Sequence, residues 1–198
     1  MRSKLYFLLF SILLSLSISG YISLAPGGRI DLAPAGKISL VFTPPAAPLK
    51  DDDVTATMTA NNAPSPNVTS ASGEFSGANA AWVAFDGNAG TNWIEGVGLP
   101  AWLKYDFGST YANPIKKLRL LGRSGLASRN PNAFTLAGSN DDSSYTTIYT
   151  GNMVENDSWQ EFTFTANTTA YRYYKLNVTS TFYGSYPQLA ELELWEKE

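Results

Sequence analysis

Asp86 stands in the turn Phe85-Asp86-Gly87-Asn88, inside the segment AWVAFDGNAGTNW (residues 81–93), flanked by Trp82 and Trp93. A carboxylate so placed can act as a general acid or base, ligate a cation, or bond the backbone N–H groups of its own turn. The rest of the sequence narrows the chemistry. There is no His and no Cys among the 198 residues. That excludes a histidine base, a cysteine nucleophile, a disulfide framework and any zinc site built on those ligands. Carboxylates, Lys, Tyr and Ser remain for catalysis. The other conspicuous acids are the run Asp51-Asp52-Asp53 and the pair in Ala190-Glu191-Leu192-Glu193-Leu194. The Asp run lacks the spacing of a cation loop and reads as solvated charge. Glycoside hydrolysis needs two carboxyls flanking a cleft. The acids here fall in strand-like segments or in the Asp86 turn, so a hydrolase is the weakest reading. With a net charge of −3 and no long basic run, the chain does not suit a nucleic-acid partner, which needs clustered Lys and Arg.

The elements that must position these residues are short and extended. After Val54 the chain alternates apolar and polar residues in LKYDFG (103–108), KLRLLG (117–122), AFTLAGS (133–139), EFTFTA (161–166), YRYYKLNV (171–178) and AELELWE (190–196). Turn clusters such as GSNDDSS (138–144) separate them, and no segment has helical periodicity. The pattern predicts an all-β antiparallel sandwich over residues 54–198.

Three segments precede it. Residues 1–20 place Arg2 and Lys4 before an apolar run and end in small residues, the grammar of a secretory signal. The alternation Ser15-Leu16-Ser17-Ile18-Ser19 leaves a buried strand pair as the other reading. Residues 21–43 repeat with a period of eight, ISLAPGGR, IDLAPAGK, then ISL. Each unit is an Ile-x-Leu strand too short to hold alone in water, so the repeat is either an assembly element that stacks on other copies or a low-complexity spacer. Residues 44–53, with Pro44, Pro45 and Pro48 ahead of the three aspartates, form a stiff, solvated linker.

TANNAPSPNVTSASGEFSG (59–77), AWVAFDGNAGTNW (81–93), PAWLKYDFG (100–108), LLGRSG (120–125), FTLAGSNDDSSYTTI (134–148), YRYYKLNVT (171–179) and QLAELELW (188–195) occur in one order. In that order they resemble the discoidin domain, also called coagulation factor V/VIII type C or galactose-binding-like, and most of all its bacterial and phage carbohydrate-binding members. The resemblance implies an eight-stranded jelly-roll sandwich, loops at one end forming a ligand site, and no catalytic activity. It also implies that the Phe-Asp-Gly-Asn-x-x-Thr-x-Trp loop wraps a structural Ca2+. Asp86 and Glu191 would then give carboxylates, Thr91 hydroxyl and carbonyl oxygens, and Val83, Asn88 and Ala190 carbonyls. Calcium takes about six to eight hard oxygens. Leu192 and Leu194 would face the core while Glu191 reaches the loop. The alternative, a simple turn with Asp86 bonding N–H groups, stays open.

Sugar-binding relatives use an Arg, an Asn seven residues later, an aromatic from the last long loop, and often a His after Thr-x-Trp. Arg123 and Asn130 have that spacing, and Phe182, Tyr183 and Tyr186 offer aromatic faces. The His is missing, with Glu95 or Trp93 nearest, which puts galactose specificity in doubt. Arg123 and Arg129 can equally be solvated or salt-bridged surface arginines. Trp82 and Trp93 read as core, while Trp102 can be core or a platform. Asn67, Asn156, Asn167 and Asn177 begin Asn-x-Ser/Thr sequons, which matter only in a glycosylating host.

The expected function is a non-catalytic glycan-binding or adhesion module, secreted or displayed on a surface, with cell-surface or polysaccharide glycans as partners. The alternative is a structural phage or virus protein, a decoration or fibre component on the virion surface. Residues 1–43 would then anchor it to virion partners or to other copies of the chain.

Overall fold

The computed structural model describes residues 53–111 and 113–197, together with the backbone of two short strands nearer the N-terminus. The chain divides into two compact units, Met1–Pro45 and Ala46–Glu198. In the first, β1 (Arg29–Leu32) and β2 (Ile38–Val41) pair antiparallel, Arg29 opposite Val41 and Leu32 opposite Ile38. They coincide with the second and third Ile-x-Leu units of the repeat. The signal-like segment, the first repeat unit, the turn between the two strands and residues 44–52 of the linker lie outside the described residues.

The second unit carries β3 (Val68–Ala71), β4 (Trp93–Ile94), β5 (Ala101–Asp106), β6 (Lys117–Leu121), β7 (Pro131–Ser139), β8 (Thr146–Asn152), β9 (Trp159–Thr163), β10 (Tyr173–Thr181), β11 (Gln188–Leu189) and β12 (Glu191–Trp195). One sheet orders its strands β3-β5-β10-β7-β8, the other β12-β6-β9, and β11 pairs with β4 in a two-residue ladder. Every pairing is antiparallel. The five and three strands of the larger sheets make the eight-stranded sandwich. Among the described residues the helical segments are single 3₁₀ turns, at Gly77–Asn79, Ala81–Phe85 and Ala127–Arg129.

Side-chain alternation builds the layers. Leu103 and Tyr105 of β5, Leu136 of β7, and Leu176 and Val178 of β10 point inward from one sheet; Leu118 and Leu120 of β6 and Leu192 and Leu194 of β12 point inward from the other. All are nearly inaccessible, and burial of each such side chain contributes about 1.5–3 kcal/mol. Phe85, Tyr105, Phe107 and Tyr111 form an aromatic row at one edge of this core. Trp93 is fully buried, with its indole N–H donating to the Gly73 carbonyl at 3.1 Å, and Trp82 packs half-buried against the core. Trp102 alternates out of the core; the Lys104 ammonium lies 5.6 Å from its ring centroid. Asp106, at the end of β5, takes a bidentate pair from Arg172 (2.7 and 2.8 Å).

Backbone bonds draw four loops together. Phe75 N–H donates to Ile94 O, Glu95 N–H to Pro187 O, and Tyr183 N–H to Ser128 O. Gln188 lies opposite Ile94 in the β11–β4 ladder.

Candidate functional site

Two polar sites flank the segment from Gln188 to Glu191. The first is the Asp86 turn. Ala81–Phe85 forms a 3₁₀ turn against β12, and Gly87, at φ +72°, lets the chain reverse directly after Asp86. Asn88 N–H donates to Asp86 Oδ1 at 2.8 Å. The Thr91 hydroxyl lies 2.8 and 3.1 Å from the Asp86 oxygens and 2.7 Å from the Asn88 carbonyl oxygen. The Asp86 turn is therefore an Asx turn, as the simple-turn reading expects.

Glu191 adds what that reading does not account for. It is 5% exposed, and its carboxyl rests against Asp86 and the Gly87 and Asn88 N–H groups. Its Oε1 is buried with no hydrogen-bond partner. Burial, and next the Asp86 carboxylate beside it, push the Glu191 carboxyl up from its ordinary 4.5 to about 8. Ala190 directly precedes Glu191, Val83 lies three residues before Asp86, and both are buried. Among the described residues no three carboxylates gather as a metal cage. A cation held by Asp86 and Glu191 would draw its remaining oxygens from hydroxyl and carbonyl groups. That donor set suits a hard, oxygen-seeking ion. A 220 Å³ cavity beside the pair is lined by Asp53, Thr55, Thr57, Trp159, Glu191 and Glu193, among others. Burial raises Asp53 to about 6.

The second site is a 340 Å³ cavity lined by Phe75, Ile94, Gly96, Arg123, Arg129, Tyr186 and Gln188. Arg123 Nη1 donates to Gln188 Oε1 at 2.6 Å, which fixes the guanidinium on one wall. The Arg129 guanidinium lies 5.8 Å from the Tyr183 ring centroid, so Tyr183, 72% exposed, stands at the rim beside it. Phe75, 70% exposed, and Tyr186 supply flat apolar surface. Two cations, an amide and two rings can grip a polar ring compound by its hydroxyls and its face.

Of the six residues expected to contact a ligand, the structure brings together Arg123 and Tyr186, with Tyr183 alongside. Two others it buries away from the cavity. Asn130 is 0% exposed, Oδ1 accepting from Arg123 N–H at 3.1 Å and Nδ2 donating to Asn156 O at 2.9 Å; it braces the loop that presents Arg123. Glu95 is likewise fully buried, accepting from the Ser72 hydroxyl and from Val97 N–H; it replaces no missing histidine. Phe182 packs half-buried against the core. The lining residues that the sequence did not mark are Phe75, Ile94, Gly96 and Gln188; Arg129, which the sequence left open between ligand contact and surface charge, also lines the cavity. Phe75 carried one signal, an aromatic in the small-residue loop GEFSG. Gln188 carried none.

The structure is similar to several solved carbohydrate-binding modules. A family 32 module from Clostridium perfringens in complex with GalNAc-β-1,3-galactose is 25% identical, with a TM-score of 0.58 over 65% of this chain and 94% of that one. The family 32 module of NanJ from the same organism, in complex with galactose, is 22% identical, with a TM-score of 0.58 over 66% and 93%. The family 32 module of AlyQ, in complex with 4,5-unsaturated mannuronic acid, is 20% identical, with a TM-score of 0.55 over 65% and 93%. No curated protein sequence matches the chain. The F5/8 type C domain model matches residues 67–192, and the chain belongs to that family.

Proposed function

We propose that the chain is a non-catalytic glycan-binding module, displayed on an extracellular or particle surface, that takes its ligand in the cavity between Arg123 and Tyr186. The observation that carries this reading is the composition of that cavity: hydrogen-bonding side chains from Arg123, Arg129 and Gln188, flat rings from Phe75 and Tyr186, and no acid among the lining residues. Hydrolysis with retention or inversion would require two carboxyls there. The sugar-bound neighbours and the carbohydrate-binding fold support the ligand class. The site is open and shallow, so each copy binds weakly and avidity comes from multivalency. A glycan array probed with the wild type and Arg123→Ala is the test. Selective binding lost in Arg123→Ala supports the proposal; identical profiles from the two proteins, or no binding by either, reject it.

A structural calcium ion at Asp86 and Glu191 belongs to the same reading. The unpartnered Glu191 Oε1 beside a second carboxylate is the feature that favours it. Asp86 and Glu191 would hold the ion with Thr91 and the carbonyls of Val83, Asn88 and Ala190. The ion would neutralise the two adjacent carboxylates and lock the loop.

A virion decoration or fibre role is the second reading, favoured by the β1–β2 pair. A two-stranded sheet of four-residue strands is marginal in water without a partner surface. Sedimentation of the full chain separates the two: a defined oligomer supports an assembly role, a monomer at all concentrations opposes it.

A further inference from the structure

We infer that the cavity selects a sugar bearing a carboxylate, which the guanidinium groups of Arg123 and Arg129 receive together. This rests on reading the cavity as the glycan site. Two of its seven lining residues are cations and none is an acid. Among the described residues neither arginine forms an ion pair, whereas Arg119 pairs with Glu161 and Glu193, and Arg172 with Asp106. Three acids of the surrounding loops make other bonds. Glu95 bonds Ser72 and Val97 N–H, Glu74 bonds Asn61 and Ala81 N–H, and Asp157 accepts from Gly125 N–H. The cavity thus keeps two positive charges without a counter-charge on its wall.

Both arginines are held in place. Arg123 is fixed by Gln188 Oε1. Arg129 lies beside the Tyr183 ring and against Gly184, where an added Cβ would stand 2.5 Å from Arg129 Nη1. Gly184 has φ +83°, so the loop both requires glycine and leaves room for the guanidinium only because no side chain is present. Pre-oriented, planar guanidinium groups suit a planar carboxylate through paired N–H···O bonds. Phe75 and Tyr186 supply the apolar contact a pyranose ring needs and a small inorganic anion does not. The net charge of −3 means that the molecule as a whole does not attract anions, so the selection is made inside the cavity.

The test uses the full chain and calorimetric titration with three probes: galacturonate oligosaccharides, the same oligosaccharides with their carboxyls methyl-esterified, and neutral galacto-oligosaccharides. A glycan array that includes sulfated members runs alongside. Binding of the uronate at least about tenfold tighter than its methyl ester, weakened by added salt, supports the inference. Arg129→Gln weakens uronate binding about tenfold and methyl ester binding by less, so the preference for the uronate narrows, and Arg129→Lys recovers part of the loss. Equal affinity for uronate and ester, or a preference for sulfated over carboxylated members, overturns the charge selection. If neutral sugars still bind in that case, the glycan-binding reading stands; if no glycan binds, that reading falls as well. The ester comparison uses wild-type protein, so it decides even if a variant fails to fold.

Discussion

Truncation of Asn130 to alanine separates a brace from a ligand contact. The side chain is fully buried and bonds two backbone groups, accepting from Arg123 N–H and donating to Asn156 O. Alanine leaves both without partners. An unpaired buried polar group costs about 1–3 kcal/mol, and Arg123 N–H is only part-buried, so the total is about 2–4 kcal/mol. A domain of this size loses about 2–4 °C of Tm per kcal/mol, which gives a fall of about 4–16 °C. Gly122→Ala acts on the same contact from the other side, because its Cβ would stand 1.9 Å from Asn130 Nδ2. Removing Asn130 first makes that space available. The double variant therefore falls short of the sum of the singles by about 0.5–3 kcal/mol. Thermal unfolding followed by circular dichroism on the three variants measures both quantities. A Tm of Asn130→Ala within about 1 °C of wild type, with glycan binding abolished, would return Asn130 to the ligand and refute the bracing role.

Calcium added to chelator-treated protein raises Tm by about 5–11 °C once its concentration reaches about a hundred times its Kd, and Glu191→Gln removes the response; a flat calorimetric trace in wild type rejects the ion. The metal-free protein loses stability as pH rises. Glu191 titrates near 8 when folded and near 4.5 when unfolded, so its contribution is present below about 4.5 and lost through about 8. Apparent calcium affinity correspondingly climbs over the same window, since the proton must leave first, and titrations at pH 6 and 8 check this. Asp53→Asn is stabilising at pH 8 and neutral at pH 3, because burial raises Asp53 from 3.8 to about 6 while its bond from Thr55 N–H survives the change; equal effects at both pH values contradict it. Arg172→Ala lowers stability, measured by urea unfolding, through loss of the bidentate pair to buried Asp106; an unchanged midpoint contradicts it.

The interior strands were legible because the sandwich writes its two faces into alternate residues. Leu103 and Tyr105, Leu118 and Leu120, and Leu192 and Leu194 mark β5, β6 and β12 directly. Of the strands not foreseen, β4 and β11 form the two-residue ladder, while β3 and β8 are the two edges of the five-stranded sheet. Their side chains are mostly half-buried or exposed, as in Thr146-Thr147-Ile148-Tyr149, so no inward register shows in the sequence. The pairing of Asp86 with Glu191, more than a hundred residues apart, came from the family resemblance; the alternation Glu191-Leu192-Glu193-Leu194 shows only that the two leucines and the two acids take opposite faces. The proposed glycan rim was only partly legible. A spacing of seven between Arg123 and Asn130 places both in one loop, but not which of them faces outward; burial decided that Asn130 turns in. Gln188 and Phe75 joined the site through the β11–β4 ladder and the Phe75–Ile94 bond, long-range pairings that no local pattern encodes.

The four residues Gln188 to Glu191 touch both polar centres, one end in the arginine cavity and the other against Asp86. A stretch that short has little freedom to let one end settle while the other wanders. Whatever occupies the acid pair thereby sets how firmly Gln188 steadies Arg123, and linkage requires the influence to run equally in reverse. If the cavity takes a sugar and the acid pair an ion, as proposed, each would therefore alter how tightly the other is held.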